Sequence, residues 1–210
     1  MENGVEAGMK LLRETIRKMI LQEGMITADQ LPDGVFIRIE EKMNGEYAKI
    51  QYVEEDDRQQ KLFPTYATAE EPDCWGTIII MKDVEDIPVW QVTSSKSGDG
   101  YGPLLYDIAM EYATQNGLGL MSDRYIVSKG DEGAVNVWDY YMKHRVGNDV
   151  EAHQMDDLQN TLTDTYDDNV PQDSAINHAG FYSWMKHSLS KRYTKAPTTL
   201  NALGNKVIYV

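Results

Sequence analysis

Between Val89 and Tyr106 the chain reads Val-Trp-Gln-Val-Thr-Ser-Ser-Lys-Ser-Gly-Asp-Gly-Tyr-Gly-Pro-Leu-Leu-Tyr, a run suited to holding a phosphate group. Gly98, Gly100 and Gly102 let the backbone adopt dihedrals that a side chain disfavours, and they let a ligand come close. Pro103 suits the first turn of a helix, where its missing N–H costs nothing. The residues before the glycines read as a strand and those after Pro103 as a helix. Such a strand, glycine turn and helix would aim free N–H groups at one point, at a helix N-terminus that favours anions. Ser94, Ser95, Lys96 and Ser97 could touch phosphate oxygens, and Lys96 could also reach an adenosine phosphate. Asp99 is expected to face solvent, since an inward carboxylate would repel phosphate.

The flanking elements must hold this turn in place. Leu105, Ile108, Ala109 and Tyr112 repeat at helical spacing, which predicts an amphipathic helix over 103–115 that stops at Asn116-Gly117. Leu118–Met121 reads as a short buried strand. Ser128 with Asp131 three residues on resembles a capping box, and Ala134, Val137, Trp138 and Tyr141 mark one face of a helix over about 129–144. Upstream, Val35–Met43 and Glu46–Val53 flank Asn44-Gly45, a strong hairpin signal. Gly76–Met81 is a β-branched strand, and Pro88 precedes the strand that enters the glycine turn. Val5, Met9, Leu12, Ile16, Met19 and Ile20 predict an amphipathic helix over 4–23 that packs on its own domain. Residues 146–180 show weak periodicity and are expected as loops and short helices, with Lys206–Val210 as a final strand.

With those elements in order, the segment over roughly 75–145 resembles the core of the GNAT N-acetyltransferase superfamily. That family holds the pyrophosphate of acetyl-CoA in a loop of pattern Arg/Gln-x-x-Gly-x-Gly/Ala, and Ser97-Gly98-Asp99-Gly100-Tyr101-Gly102 matches it with Ser97 in place of Arg or Gln. Gly100 to Tyr106, Asp123-Arg124, Ser128 and Val137-Trp138 are also similar to small GNAT-like proteins of tailed bacteriophages, as are Asp156-Asp157, Asp167-Asp168 and Ser190 to Tyr193. The resemblance implies an α/β fold of the α+β type, with a mixed, mostly antiparallel sheet flanked by helices. It implies acetyl-CoA as cosubstrate, bound by Val92, Thr93 and Ser94 through backbone N–H groups and by Ser97 to Pro103 at the turn. It also implies a tyrosine near the thioester sulfur. Tyr140 and Tyr141 are the candidates, and Tyr141 is preferred because it shares the inward face of Trp138. No general base stands out: Asp123 beside Arg124 also reads as a salt bridge or turn cap, and His144, His153, His178 and His187 have no visible triad partner.

Composition bounds the partners. A chain of 210 residues, 26% charged and 41% hydrophobic, reads as one globular domain. Its organisation reads as an N-terminal helix and linker over 1–30, a GNAT-like core over 31–145 and a loop-rich segment over 146–210. No apolar run approaches a membrane span, and Arg13, Glu14, Arg17 and Lys18 interrupt any leader-like core, so a cytoplasmic location is expected. Cys74 is the single cysteine, so no intrachain disulfide is expected, and the widely spaced histidines give no zinc pattern. A formal net charge of −14 argues against nucleic acid as a partner; it suits a cationic substrate such as a polyamine or a basic protein tail, although solubility alone accounts for it more simply. Acids crowd residues 151–173, whereas 174–210 carry only basic charge. Two functions remain open at this point. One is an acetyl-CoA-dependent acyl transfer to an amine; the other is a catalytically inactive GNAT-fold structural or host-interaction protein of a bacteriophage.

Overall fold

The described residues form eight strands. They are β1 (Val35–Lys42), β2 (Tyr47–Glu54), β3 (Gly76–Lys82), β4 (Trp90–Ser97), β5 (Leu120–Met121), β6 (Val150–Gln154), β7 (Lys191–Lys195) and β8 (Val207–Tyr209). The α-helices among the described residues are α1 (Gly102–Gln115), α2 (Glu132–Tyr140) and α3 (Thr198–Leu203). This is a computed structural model, and it describes residues 26–54, 76–82, 89–98, 100–123, 132–155, 179–180 and 183–210. The expected helix over 4–23, Cys74, Pro88, Asp99, Arg124, the Ser128–Asp131 box and His178 lie outside those residues.

All eight strands belong to one mixed sheet in the order β6-β7-β5-β4-β3-β2-β1-β8. Neighbours run antiparallel except β4 with β5 and β1 with β8. The fold is therefore α/β in the α+β sense, as the resemblance of the sequence implies. The hairpin forms in register from Val35↔Glu54 to Lys42↔Tyr47, so Met43–Glu46 make its turn; β1 ends one residue before its expected boundary, and β2 is shifted one residue later at both ends. Met43, Asn44 and Gly45 all take positive φ, of 53°, 57° and 84°, which curls the chain out of the ladder on both sides of Asn44.

The segment after residue 145 differs more. Val150–Gln154, expected as loop, is the edge strand β6, and β7 inserts between β6 and β5. Both strands are polar and short. β6 buries only Val150 along its length and takes its order from the five-pair ladder with β7, a non-local pairing that periodicity does not report.

Helix α1 also departs from expectation. It was expected to be amphipathic, yet it buries Leu104, Tyr106, Met110, Glu111 and Ala113 as well as the apolar face. The sheet packs on it, α3 packs on it as well, and Tyr141 and Arg145 reach it from the turn after α2, so α1 is a central element. Trp138 stacks on Tyr193 of β7 at 5.2 Å and meets Tyr106 of α1 edge-on at 5.8 Å, which ties α2 to both layers.

Gly119, between α1 and β5, fixes how closely the chain passes β7. Its φ is +113°, and a β-carbon there would lie 2.5 Å from the Tyr193 carbonyl oxygen. Gly119→Ala is expected to cost roughly 1–3 kcal/mol, more if β7 is pushed aside. The midpoint of chemical denaturation reads this directly, and an unchanged midpoint would refute it.

Candidate functional site: a cleft at the glycine turn

The site begins where β4 outruns its parallel neighbour. β4 pairs with β5 only at Trp90↔Leu120 and Gln91↔Met121, and then continues along β3 to Ser97. Burial changes at the same point: Trp90 and Val92 are buried, whereas Thr93 to Ser97 are exposed. The register slips there too, with Ile80 opposite Val92 and Ile79 opposite Ser94. Thr93 is thus the extra residue of a β-bulge, a device that re-aims backbone and side chain beside a site. Its hydroxyl donates to the Ile79 carbonyl at 3.3 Å.

The glycine turn follows. The Tyr101 N–H donates to the Gly98 carbonyl at 3.2 Å, and Gly100 sits at φ +84°. Two outside groups pin it. The Ile26 N–H donates to the Gly100 carbonyl at 3.1 Å, and the Tyr52 hydroxyl of β2 donates to the Tyr101 carbonyl at 2.7 Å. Gly102 opens α1 in close contact with the strand end, since a β-carbon there would lie 2.8 Å from Ser97 Oγ. Pro103 occupies the first turn, and Tyr101 at the N-cap supplies no side-chain cap. Helix geometry leaves the first-turn N–H groups of Gly102 and Leu104 without a partner four residues back, and Pro103 between them has none to satisfy.

A cleft of about 810 Å3 lies between this turn and α2. Ser97, Gly98, Gly100, Gly102 and Pro103 line one wall, together with Ser95, Lys96 and Tyr106. Val137, Asp139, Tyr140, Tyr141, Lys143 and His144 line the other. Of the residues expected at a cofactor site, Val92, Thr93 and Ser94 lie on the strand leading into the cleft rather than in its wall, Tyr101 sits behind it against Tyr52, and Asp99 lies outside the described residues. The Ser95 hydroxyl and the Tyr106 hydroxyl are 2.9 Å apart, so the strand and α1 are joined at the cleft floor.

The cleft carries side chains of both signs. Among the described residues lining it, Lys96 and Lys143 stand against Asp139 alone. Asp139 bonds to Lys143 Nζ at 2.7 Å and to the Ser188 hydroxyl at 2.7 Å. Burial works against ionisation, but these two bonds outweigh it and hold the Asp139 carboxyl below the usual range.

The two candidate tyrosines differ. Tyr141 points inward as its helical spacing predicts and is 1% exposed. Its hydroxyl donates to Asp107 Oδ1 at 2.6 Å, with the Pro103 carbonyl oxygen at 3.3 Å. Burial, and then the Asp107 charge, push its phenol well above the ordinary value, so it stays protonated across the physiological range. Tyr140 is half-buried, lies edge-on to Tyr141 at 5.7 Å and packs on His144 at 5.3 Å. It also walls, with Pro103, a second cavity of about 390 Å3 that holds Asp29, Asp107, Arg145, Asp149 and Lys195.

Sequence reasoning missed the charges behind the tyrosines. After Tyr140 the helix widens into one π-type turn, Tyr141–Arg145. Arg145 Nη2 reaches Asp107 Oδ2 at 3.0 Å, and Arg145 Nε reaches Asp149 Oδ1 at 2.8 Å. The bond from Arg145 leads the causes that keep Asp149 below the usual carboxylate range. The four-residue spacing of Arg145 and Asp149 was the available signal. Among the other histidines, His153 Nε2 lies 3.0 Å from Thr194 Oγ1 and 3.5 Å from Glu151. Both contacts fall on one ring nitrogen, so they do not form a relay through the ring.

Among the described residues no group of His, Cys, Asp or Glu is arranged to hold a metal ion, and no helix is long and apolar enough to cross a membrane. No protein-family model, curated protein or solved structure matches the chain.

Proposed function

We propose that the chain binds acetyl-CoA in the cleft at the glycine turn and transfers its acyl group to an amine. The observation that carries this reading is that β4 runs on past its short pairing with β5 into a glycine turn at a helix N-terminus, with a cleft beside it. Backbone N–H groups at the first turn of α1 suit a pyrophosphate, and Lys96 and Lys143 suit its charge. The bulge at Thr93 supports a polarising role for Val92 to Ser94 toward the thioester carbonyl, because it turns backbone groups out of the ladder. A mixed, mostly antiparallel sheet with helices is the architecture that the GNAT resemblance of the sequence implies. In the transfer, the amine nitrogen bonds to the carbonyl carbon as the carbon–sulfur bond breaks. The proton lost by the amine then balances the thiolate. Tyr140, half-buried in the cleft wall, is the tyrosine we assign to that sulfur.

A second reading has its own support. Asp139 is the one carboxylate among the described residues of the cleft wall, and it is held by Lys143 and Ser188. A cleft whose described residues offer no carboxylate besides this engaged one suits a non-catalytic structural or host-interaction protein of a bacteriophage built on the same fold. Isothermal calorimetry with CoA and acetyl-CoA, followed by an acetylation assay on polyamines and lysine peptides, separates the readings. Micromolar binding with amine acetylation is expected. Binding without turnover favours the second reading, and no heat at millimolar ligand refutes acetyl-CoA for both.

A further inference from the structure

We infer that Tyr141 and Arg145 act together as a latch on Asp107 that sets the width of the cleft, so that Tyr141 is a positioning residue for the CoA pyrophosphate rather than a proton donor to sulfur. The inference rests on the acetyl-CoA reading above and concerns the same cleft.

The geometry is specific. Asp107 lies on α1 one turn after Pro103, and Tyr141 and Arg145 bracket the π-type turn. Tyr141 takes Asp107 Oδ1 at 2.6 Å, and Arg145 takes Oδ2 at 3.0 Å. The Arg145 guanidinium also lies 5.4 Å from the centre of the Tyr141 ring, so the two gripping side chains support each other. The wider turn matters here. The Val146 N–H bonds to the Tyr141 carbonyl, five residues back, and from the two ends of this turn both side chains reach Asp107 on α1. Asp149 holds Arg145 from behind at 2.8 Å.

Position gives the latch its effect. One cleft wall is the turn and the start of α1; the other is α2 and the π-type turn. Tyr141 spans from the second wall to the first turn of the first, meeting Pro103 and Asp107 together. The hydroxyl hydrogen is donated to Asp107, which leaves it unable to protonate a thiolate without breaking this contact. Releasing the latch frees the N–H groups of α1 to drift from the spacing that a pyrophosphate needs.

The test uses the full chain with CoA as the probe. Tyr141→Phe keeps the ring and deletes the hydroxyl; Asp107→Asn removes the charge that Arg145 grips. Each variant is checked by circular dichroism, and its CoA affinity is measured by calorimetry well below its unfolding temperature. Either folded variant is expected to bind CoA at least about 10-fold more weakly than the unmodified chain. A loss confined to thermal stability, with CoA affinity unchanged, overturns the latch and leaves the acetyl-CoA reading standing. Failure of both variants to fold also overturns it, since the contacts are then required by the fold itself. No binding by the unmodified chain overturns both.

Discussion

A chain carrying Gly100→Glu and Gly102→Glu is expected to lose CoA affinity by at least about 100-fold while remaining folded. The loss follows from charge. A carboxylate about 5 Å from a phosphate, at an effective dielectric near 20, opposes binding by roughly 3 kcal/mol. Each 1.4 kcal/mol is about tenfold in affinity, so one such carboxylate already accounts for the expected effect. Added side chains also fill the space in which the phosphate would meet the first-turn N–H groups of α1. The fold should tolerate the change. Gly100 lies at φ +84°, where a glutamate costs roughly 1–3 kcal/mol, and the neighbour facing a Gly102 β-carbon is the Ser97 hydroxyl, which can rotate away.

Strain and charge need a control of their own. Gly34 has φ +80° with nothing within 4 Å of a β-carbon, and it lies outside both cavities. Gly34→Glu therefore reproduces the backbone strain and the added charge away from the cleft. It is expected to bind CoA as the unmodified chain does. If the doubly substituted chain binds equally well, the glycine turn is not the phosphate site, and the reading of the cleft fails with it.

The turn itself was legible because its signals are local. Glycines at 98, 100 and 102 followed by Pro103 state both a turn and a helix start, and the structure has α1 beginning at Gly102. The inward direction of Tyr141 was legible for the same reason, since a period of 3.6 fixes which residues share the Trp138 face. What the hydroxyl would meet was not legible. Asp107 is 34 positions away in sequence, and nothing in a local window marks it as a partner. β6 and β7 were missed for a related reason: their residues are polar, and the ladder that orders them joins Val150 to Lys195. Glu111 is the sharpest case. A glutamate within a helical repeat reads as a solvated position, yet this one is fully buried, and the lysine that accounts for it is 84 positions further on.

That buried glutamate supports the second large prediction: Glu111→Ala is expected to destabilise the chain by about 3–5 kcal/mol. Glu111 Oε1 accepts from Lys195 Nζ and from the Thr199 N–H at 2.7 Å, and Oε2 accepts from the Leu200 N–H at 2.7 Å. One carboxylate thus neutralises a buried ammonium and satisfies two N–H groups at the start of α3. Truncation leaves Lys195 with the hydroxyls of Thr198 and Thr199, at 2.8 and 2.9 Å, and with Asp149 at 3.8 Å. Those hydroxyls carry no charge, and Asp149 is already bonded to Arg145, so neither replaces the lost partner. For a domain of this size the loss corresponds to a Tm lower by roughly 10 °C. Replacing the pair together, Glu111→Leu with Lys195→Met, should recover most of it, because no buried charge then stands alone. The deficit that remains would belong to the two uncapped N–H groups of α3, at about 1 kcal/mol each. A Glu111→Ala chain that melts within about 2 °C of the unmodified protein would mean that water reaches Lys195, and that α3 is held to α1 by its apolar contacts alone.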